Sequence, residues 1–588
     1  MKRSLLLFQA GALAVAVLAV YSGGLENAFQ YDDIHSLVEN PHVRSLDSIP
    51  QFFLRSDLFS VDPKSGMYRP LVLVSYALNH AAGGYQVFGY HLVNIALHIA
   101  VSGALCLLIG YWTESALRGL VTGLLFALHP INSETVNYVS SRSESLCALF
   151  LLLALFAYLR AAVGNGVAWR GLSLLAFAAS LLSKSVGIVL PAVLLLVDFF
   201  TARGRALDRR PLVLLRRHLP YWLIAVAYLV VVGSALDTAL VSEPLRGATV
   251  QACTQVKAVA YYLKLLALPH PLNVEHQFLI ASGGPEAPVV FAGLFGISLV
   301  AVAAAVGRKF SGLLFWMLAA LLFLLPTLVI PLNVLVNEHR LYLPSAVLAL
   351  GLGGALACFS RRRFGTAALA GVGLLLTFGL HSSNRTAVWS SHESLWTAAL
   401  QRAPSMPRPN LYVGDHHREI GDHEKALAAY ERALTVYPEV LSGGDLLSIH
   451  NNRGSALLAM GRNGEAIGAY RQALEIDSTY ARSREALDAL LALQQQERDP
   501  RANALYKQGL QLIWRGNLEV AVQRLLDSLA AQPLPEAYQA LALAYRRMGE
   551  TALELCAYED LIALDPDSPR AETARRKIEA LSATGGRR

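Results

Sequence analysis

Gly89-Tyr90-His91-Leu92-Val93-Asn94-Ile95-Ala96-Leu97-His98 opens a run that continues to Tyr111 without one charged residue. A helix needs roughly 20 apolar residues to cross the hydrocarbon core of a bilayer, and this run supplies them. Its polar members are periodic. His91, Asn94 and His98 recur at i, i+3 and i+7, so they share one helix face. Lipid cannot satisfy such a stripe, so it must pack against protein. The run points to a bundle of membrane helices, not to one isolated anchor.

The rest of the chain agrees. Of 588 residues 54% are hydrophobic and only 16% charged, whereas soluble domains carry roughly 25% charged residues. The deficit is confined to residues 1–383, and 384–588 read as a soluble helical domain. Eleven spans are expected near 4–22, 89–111, 115–131, 144–162, 167–183, 185–201, 218–236, 287–307, 311–331, 341–359 and 364–382. The fifth and sixth are parted only by the turn Ser183-Lys184. Lys2-Arg3 and the apolar stretch to Tyr21 read as an uncleaved anchor, since Tyr21-Ser22-Gly23 makes a poor signal-peptidase site. The five cysteines are scattered without a CxxC, which excludes a zinc-ribbon or disulfide framework.

Charge fixes the expected orientation. With the amino terminus inside, the inner loops collect Lys2, Arg3, Arg118, Arg160, Arg170, Arg203, Arg205, Arg209, Arg210, Arg216, Arg217, Arg308, Lys309 and Arg361-Arg362-Arg363. Basic short loops on one side are the positive-inside pattern. This use of the +7 net charge suits topology control and not nucleic-acid binding. An odd span count then sends segments 23–88, 132–143, 237–286, 332–340 and the carboxyl-terminal domain to the outer face.

That face gathers the unusual polar residues. Asp32-Asp33 lies just past the first span, where like charges repel and the nearby bilayer penalises both. Ile49-Pro50-Gln51-Phe52-Phe53-Leu54 looks amphipathic, and Tyr68-Arg69-Pro70 opens another apolar helix. Arg69 offers a planar fork suited to phosphate oxygens. His129-Pro130 closes the third span and is followed by Glu134, Arg142 and Glu144. Lys184 occupies an outer turn, and Glu338-His339-Arg340 precedes the tenth span. Singly, each reads as a snorkelling interfacial residue, and the His91/Asn94/His98 face reads equally as an interhelical hydrogen-bond seam. Together, at helix mouths on one side, they read as a shared site. Tyr68, His91, Asn94, His98, Glu134, Arg142 and Glu144 are its candidate lining.

Residues 409–580 repeat at about 34 residues, the tetratricopeptide period. Gly414/Gly421, Gly454/Gly461 and Gly509/Gly516 are each seven apart. Ala426, Tyr430, Ala433 and Pro438 follow at the offsets of the motif, then Ala466, Tyr470 and Ala473, then Ala521 and Pro533, then Gly549, Tyr558 and Pro566. The expected fold is all-α: a polytopic membrane bundle over 1–383 with a long outer loop 23–88, a linker over 384–408, and a repeat solenoid over 409–580 whose concave face suits an extended peptide.

Tyr31-Asp32-Asp33, Tyr-Arg-Pro-Leu at 68–71, Gly89-Tyr90-His91-Leu92-Val93-Asn94 with His98, Leu128-His129-Pro130, Ser183-Lys184 and Glu338-His339-Arg340-Leu341-Tyr342-Leu343-Pro344-Ser345 together resemble the transmembrane and tetratricopeptide-repeat-containing O-mannosyltransferases and their bacterial relatives. The resemblance implies a GT-C glycosyltransferase. Such an enzyme takes mannose or a similar sugar from a polyprenyl-phosphate carrier, with inversion, and passes it to Ser/Thr hydroxyls of exported protein held by the repeats. It implies a bacterial inner-membrane setting, with the site in the periplasm. A phosphate leaving group needs no general acid, so one carboxylate must take the acceptor proton while cations hold the phosphate. Asp32 or Asp33 is the candidate base. Arg69, Lys184 and Arg340, then His129, Glu338 and His339, are the candidate phosphate and headgroup contacts. No cofactor is implied beyond the lipid-linked donor. Asp-Asp suits a divalent ion, but no second ligand pair accompanies it. The competing readings are a membrane-anchored repeat scaffold without catalysis, and a GT-C enzyme acting on a lipid or glycan.

Overall fold

The computed structural model describes residues 3–585 except 62–66, 164–165, 202–210, 240–245, 285, 308–310, 331–333, 361–362, 497–498 and 567. Lys2, Arg203, Arg205, Arg209, Arg210, Arg308, Lys309, Arg361 and Arg362 of the expected inner loops lie outside the described residues. The described chain is helical with no strand, and divides into Met1–Pro409 and Asn410–Arg588.

Within the first unit a helix stands at each of the eleven apolar runs. Six helical segments among the described residues are long and apolar enough to cross a membrane: Arg3–Gly24, Val87–Trp112, Val139–Ala162, Leu212–Gly233, Glu338–Ser360 and Phe364–Val388. Others are shorter. Ala116–Leu128 has 13 residues, about 20 Å of helix at 1.5 Å per residue, well under a bilayer core.

Short connections make antiparallel neighbours. Arg142–Val163 packs along Val167–Ser183, and Val87–Trp112 along Ala116–Leu128. The second pair approaches closely because Gly119 lies against the Cys106 carbonyl, where a Cβ would collide with backbone. Small residues at such crossings are how membrane helices gain packing without a hydrophobic driving force between them. Arg142–Val163 runs 22 residues, so Arg142 and Arg160 lie at opposite ends of the bundle, about 27 Å apart along the axis.

The segments expected on the outer face are more structured than loops. Pro70–Gly83 and Ala248–Ala267 are helices of 14 and 20 residues, the first with proline at its opening position, where its missing N–H costs nothing. Ile49–Phe52 forms a single turn with Phe52 buried and Leu54 exposed. Residues 384–408, expected as a linker, instead complete the helix Phe364–Val388 and form the helix His392–Arg402 within the first unit. The run Ser391-His392-Glu393-Ser394 supplies the reason, since Ser391 and Ser394 make a reciprocal capping box.

The second unit stacks paired helices from Asn410 onward, in the order expected of tetratricopeptide repeats. Gly414 and Gly454 face the rings of Tyr430 and Tyr470, which occupy the space a Cβ would need.

Candidate active site

The sequence Asn132-Ser133-Glu134-Thr135-Val136-Asn137-Tyr138-Val139-Ser140-Ser141-Arg142-Ser143-Glu144 is too rich in Ser and Asn to extend one helix. It folds as a helical turn Ser133–Asn137, a 3-10 turn Val139–Ser141 and then the start of the long helix. Most of the polar residues singled out above are fastened to this segment.

Tyr138 accepts a hydrogen bond from the Asp32 backbone N–H at 3.0 Å. Ser140 donates to Asp33 Oδ1 through its backbone N–H at 2.7 Å and its hydroxyl at 2.5 Å. Arg69 Nη1 reaches Ser143 Oγ at 3.4 Å, and the Lys184 ammonium pairs with the Glu144 carboxylate. Ten residues upstream of Glu144, Glu134 Oε1 meets His339 Nδ1 at 2.6 Å.

The adjacent aspartates have different surroundings. Tyr31, just before them, adopts φ +50°, in the left-handed region. Asp33 is 1% exposed, and its second oxygen accepts from the Gln30 N–H at 3.0 Å. Burial, helped by the neighbouring Asp32 and opposed by the hydrogen bonds from Gln30 and Ser140, pushes the Asp33 carboxyl up to about 7. The Asp32 side chain is 41% exposed, with His35 Nε2 at 3.3 Å from Oδ1. Asp33 is committed to holding the turn together, whereas Asp32 presents an accessible carboxylate.

The cations gather. Arg69, Lys184 and Arg340 all lie within electrostatic reach of His339. Arg69 also sits over the Phe59 ring at 5.4 Å, and Arg340 bonds the carbonyls of Val334 and Leu335 and the Tyr262 hydroxyl. Like charges held this close repel, so the arrangement suits an anion. Glu338 is fully buried, between the Asn273 N–H, His276 at 3.4 Å and Arg385 at 4.0 Å. Burial and the facing Glu338 push Glu134 well above the usual carboxyl range.

The remaining candidates are built into the scaffold. His91 Nε2 contacts the Asn27 carbonyl at 2.9 Å. His98 bridges the Tyr342 hydroxyl and the Ala127 carbonyl at 2.8 and 3.0 Å. Asn94 binds the Tyr138 carbonyl at 3.2 Å and the Arg142 Nε–H at 2.8 Å. Arg142 is saturated by Asn94, Asn79, Ser75 and the Tyr90 carbonyl and lies over the Tyr76 and Tyr90 rings. Each is almost fully buried and partnered by protein, so this helix face is an interhelical seam that holds the Tyr138–Glu144 turn in place. His129 caps the next turn through the Ile131 N–H and contacts the Leu266 carbonyl. Tyr68 donates to the Phe53 carbonyl at 2.8 Å. A cavity of about 630 Å³ lies elsewhere, lined by Leu195, Phe199, Leu214 and Trp222 beside the Asp198–Arg217 pair.

Sequence reading passed over Ser140, His35, Arg385 and Trp389. The first two look like ordinary turn residues. Arg385 falls in the stretch expected as a linker, and its place as a lone arginine at the mouth of the last apolar helix is the available signal.

A tetratricopeptide repeat model matches residues 406–479. The chain is 32% identical over 234 residues to human protein O-mannosyl-transferase TMTC2, covering 37% of this chain and 27% of that protein. It is similar to protein O-mannosyl-transferases. Drosophila melanogaster Tmtc1 matches at 32% identity over 33% of the chain and 23% of its own length, and human TMTC3 at 28% over 32% and 21%. The chain thus matches about a quarter of the length of these relatives, in accord with the resemblance carried by its motifs. A solved P58(IPK) TPR domain aligns at 9% identity with 74% of the chain and 99% of its own, at a TM-score of 0.16, too low to carry an argument.

Proposed function

We propose that the protein is an integral-membrane glycosyltransferase that moves a sugar from a polyprenyl-phosphate carrier to Ser/Thr hydroxyls of exported polypeptide. The observation that carries this reading is the Tyr138–Glu144 turn, which fastens an accessible carboxylate region and two of three clustered cations to one seven-residue segment. Similarity to protein O-mannosyl-transferases supports the reaction class.

In the proposed reaction Asp32 takes the proton of the acceptor hydroxyl. The acceptor oxygen bonds to the anomeric carbon as the carbon–oxygen bond to phosphate breaks, with its electron pair going to the phosphate. This single displacement inverts the anomeric centre. Arg69, Lys184 and Arg340 stabilise the charge on the departing polyprenyl phosphate. Asp33 acts as the anchor of the base-bearing turn and Glu144 as the partner that keeps Lys184 charged inside the protein. The setting is a bacterial inner membrane with the site and the repeats in the periplasm, and the repeats hold the acceptor.

The test incubates purified protein with radiolabelled polyprenyl-phosphate mannose and a mixture of exported proteins. Label should appear on Ser or Thr. Consumption of donor without label on any polypeptide would direct the reading to a lipid or glycan acceptor, and an untouched donor would exclude it.

A further inference from the structure

Arg385 belongs to no part of the reaction above, yet all three of its guanidinium nitrogens are buried without a hydrogen-bond partner among the described residues. The residue is 4% exposed. A guanidinium taken from water without hydrogen bonds costs several kcal/mol. Its nearest carboxylate oxygen, Glu338 Oε2, stands at 4.0 Å, beyond hydrogen-bond reach.

The unsatisfied groups around it are complementary. Glu338 Oε2 and Glu134 Oε2 are both buried acceptors without a donor among the described residues, and Glu134 lies within electrostatic reach of Arg385. The guanidinium sits over the Trp389 ring at 5.8 Å, and the Trp389 indole N–H is also buried and unpartnered among the described residues. Trp389 in turn stacks on Tyr138, whose hydroxyl holds the Asp32 backbone, with centroids 5.7 Å apart. The cluster therefore adjoins the base-bearing turn.

Four side chains thus present unmatched donors beside unmatched acidic acceptors. A phosphate would satisfy Arg385 and Trp389 but would meet the Glu338 carboxylate with like charge and offer no donor to the Glu134 oxygen. Neighbouring hydroxyls of a sugar ring both donate and accept, and so satisfy all four. A planar guanidinium and an indole edge are also suited to fixing ring orientation. We infer that Arg385 and Trp389, with Glu134 and Glu338, form the pocket that reads the hydroxyls of the donor sugar, separate from the Arg69–Lys184–Arg340 cluster that takes the phosphate. This rests on the proposed donor, and it makes Arg385 and Trp389 specificity-determining residues.

The test measures binding of polyprenyl-phosphate mannose and of sugar-free polyprenyl phosphate to the full chain in nanodiscs. Trp389→Phe keeps an aromatic face towards Tyr138 and removes the N–H together with the five-membered half of the indole, and Arg385→Lys keeps the charge and removes the fork. Each variant should lose on the order of tenfold in affinity for the mannosylated lipid, the scale of a lost charge-assisted or buried hydrogen bond. Affinity for the sugar-free lipid should stay at the wild-type value in both variants, whatever stability Trp389→Phe loses to the smaller ring. Equal losses for both lipids, or none for either, would overturn the sugar pocket while leaving the donor reading intact. If the wild-type chain binds neither lipid, the donor reading itself fails and takes this pocket with it. Should Arg385→Lys fail to fold, Trp389→Phe decides alone.

Discussion

Asp32 and Asp33 are neighbours in sequence and opposites in environment. One carboxyl accepts three hydrogen bonds inside the protein and the other is open to an incoming group. Asp33 therefore ties stability to pH in a definite direction. Its folded-state pKa, raised to about 7, exceeds the unfolded value of roughly 4, so the native state binds the extra proton between them. That contribution is fully present below about pH 4 and is lost as pH rises through about 7. Melting temperatures of the wild type, followed from pH 4 to 8, should carry this downward component, and Asp33→Asn should lack it. An identical profile in the variant would show that Asp33 does not titrate as described. The pair itself was legible as an odd feature of the sequence. Its division of labour was not, because that depends on Ser140, 107 residues further along the chain.

At the scale of elements, the apolar helices were plain in the sequence because bilayer crossing demands long uncharged runs, and no tertiary contact is needed to see them. The structured segments expected outside the membrane were less plain. The apolar run opening at Pro70 marks the helix Pro70–Gly83, but His392–Arg402 is short and polar enough that hydropathy gives it no distinctive mark, and its capping and packing decide it. The polar stripe His91/Asn94/His98 illustrates the same limit: periodicity placed the three on one face, but only the partners Asn27, Tyr138, Tyr342 and Arg142 make it a seam. The repeats were legible in register because glycine and tyrosine must alternate where two helices touch. Gly414→Val tests this directly. The new Cβ would lie 2.6 Å from the Tyr430 ring, and overpacking of this kind costs about 1–3 kcal/mol. Thermal unfolding of the repeat unit should shift down while the membrane unit holds its melting temperature. An unshifted repeat transition would mean that the helices do not pair through this contact.

For the whole molecule, the two units divide the proposed work. The membrane unit contains the carboxylates and cations, and the second unit contains the repeat stack. A chain ended at Gly421 keeps the first helix of the second unit and the Arg408–Glu275 pair at 3.4 Å but loses the stack. It should bind polyprenyl-phosphate mannose as the full chain does, yet transfer little sugar to polypeptide. Full transfer by the shortened chain would remove the repeats from acceptor binding.

The central claim is that Asp32 is the base of a glycosyl transfer. The most direct measurement compares wild type with Asp32→Asn for transfer of labelled mannose from polyprenyl phosphate to exported protein, at equal donor binding. The account predicts that Asp32→Asn folds and binds donor normally and loses about 100-fold or more in transfer rate, the scale of a lost general base. Transfer by Asp32→Asn at the wild-type rate would contradict it.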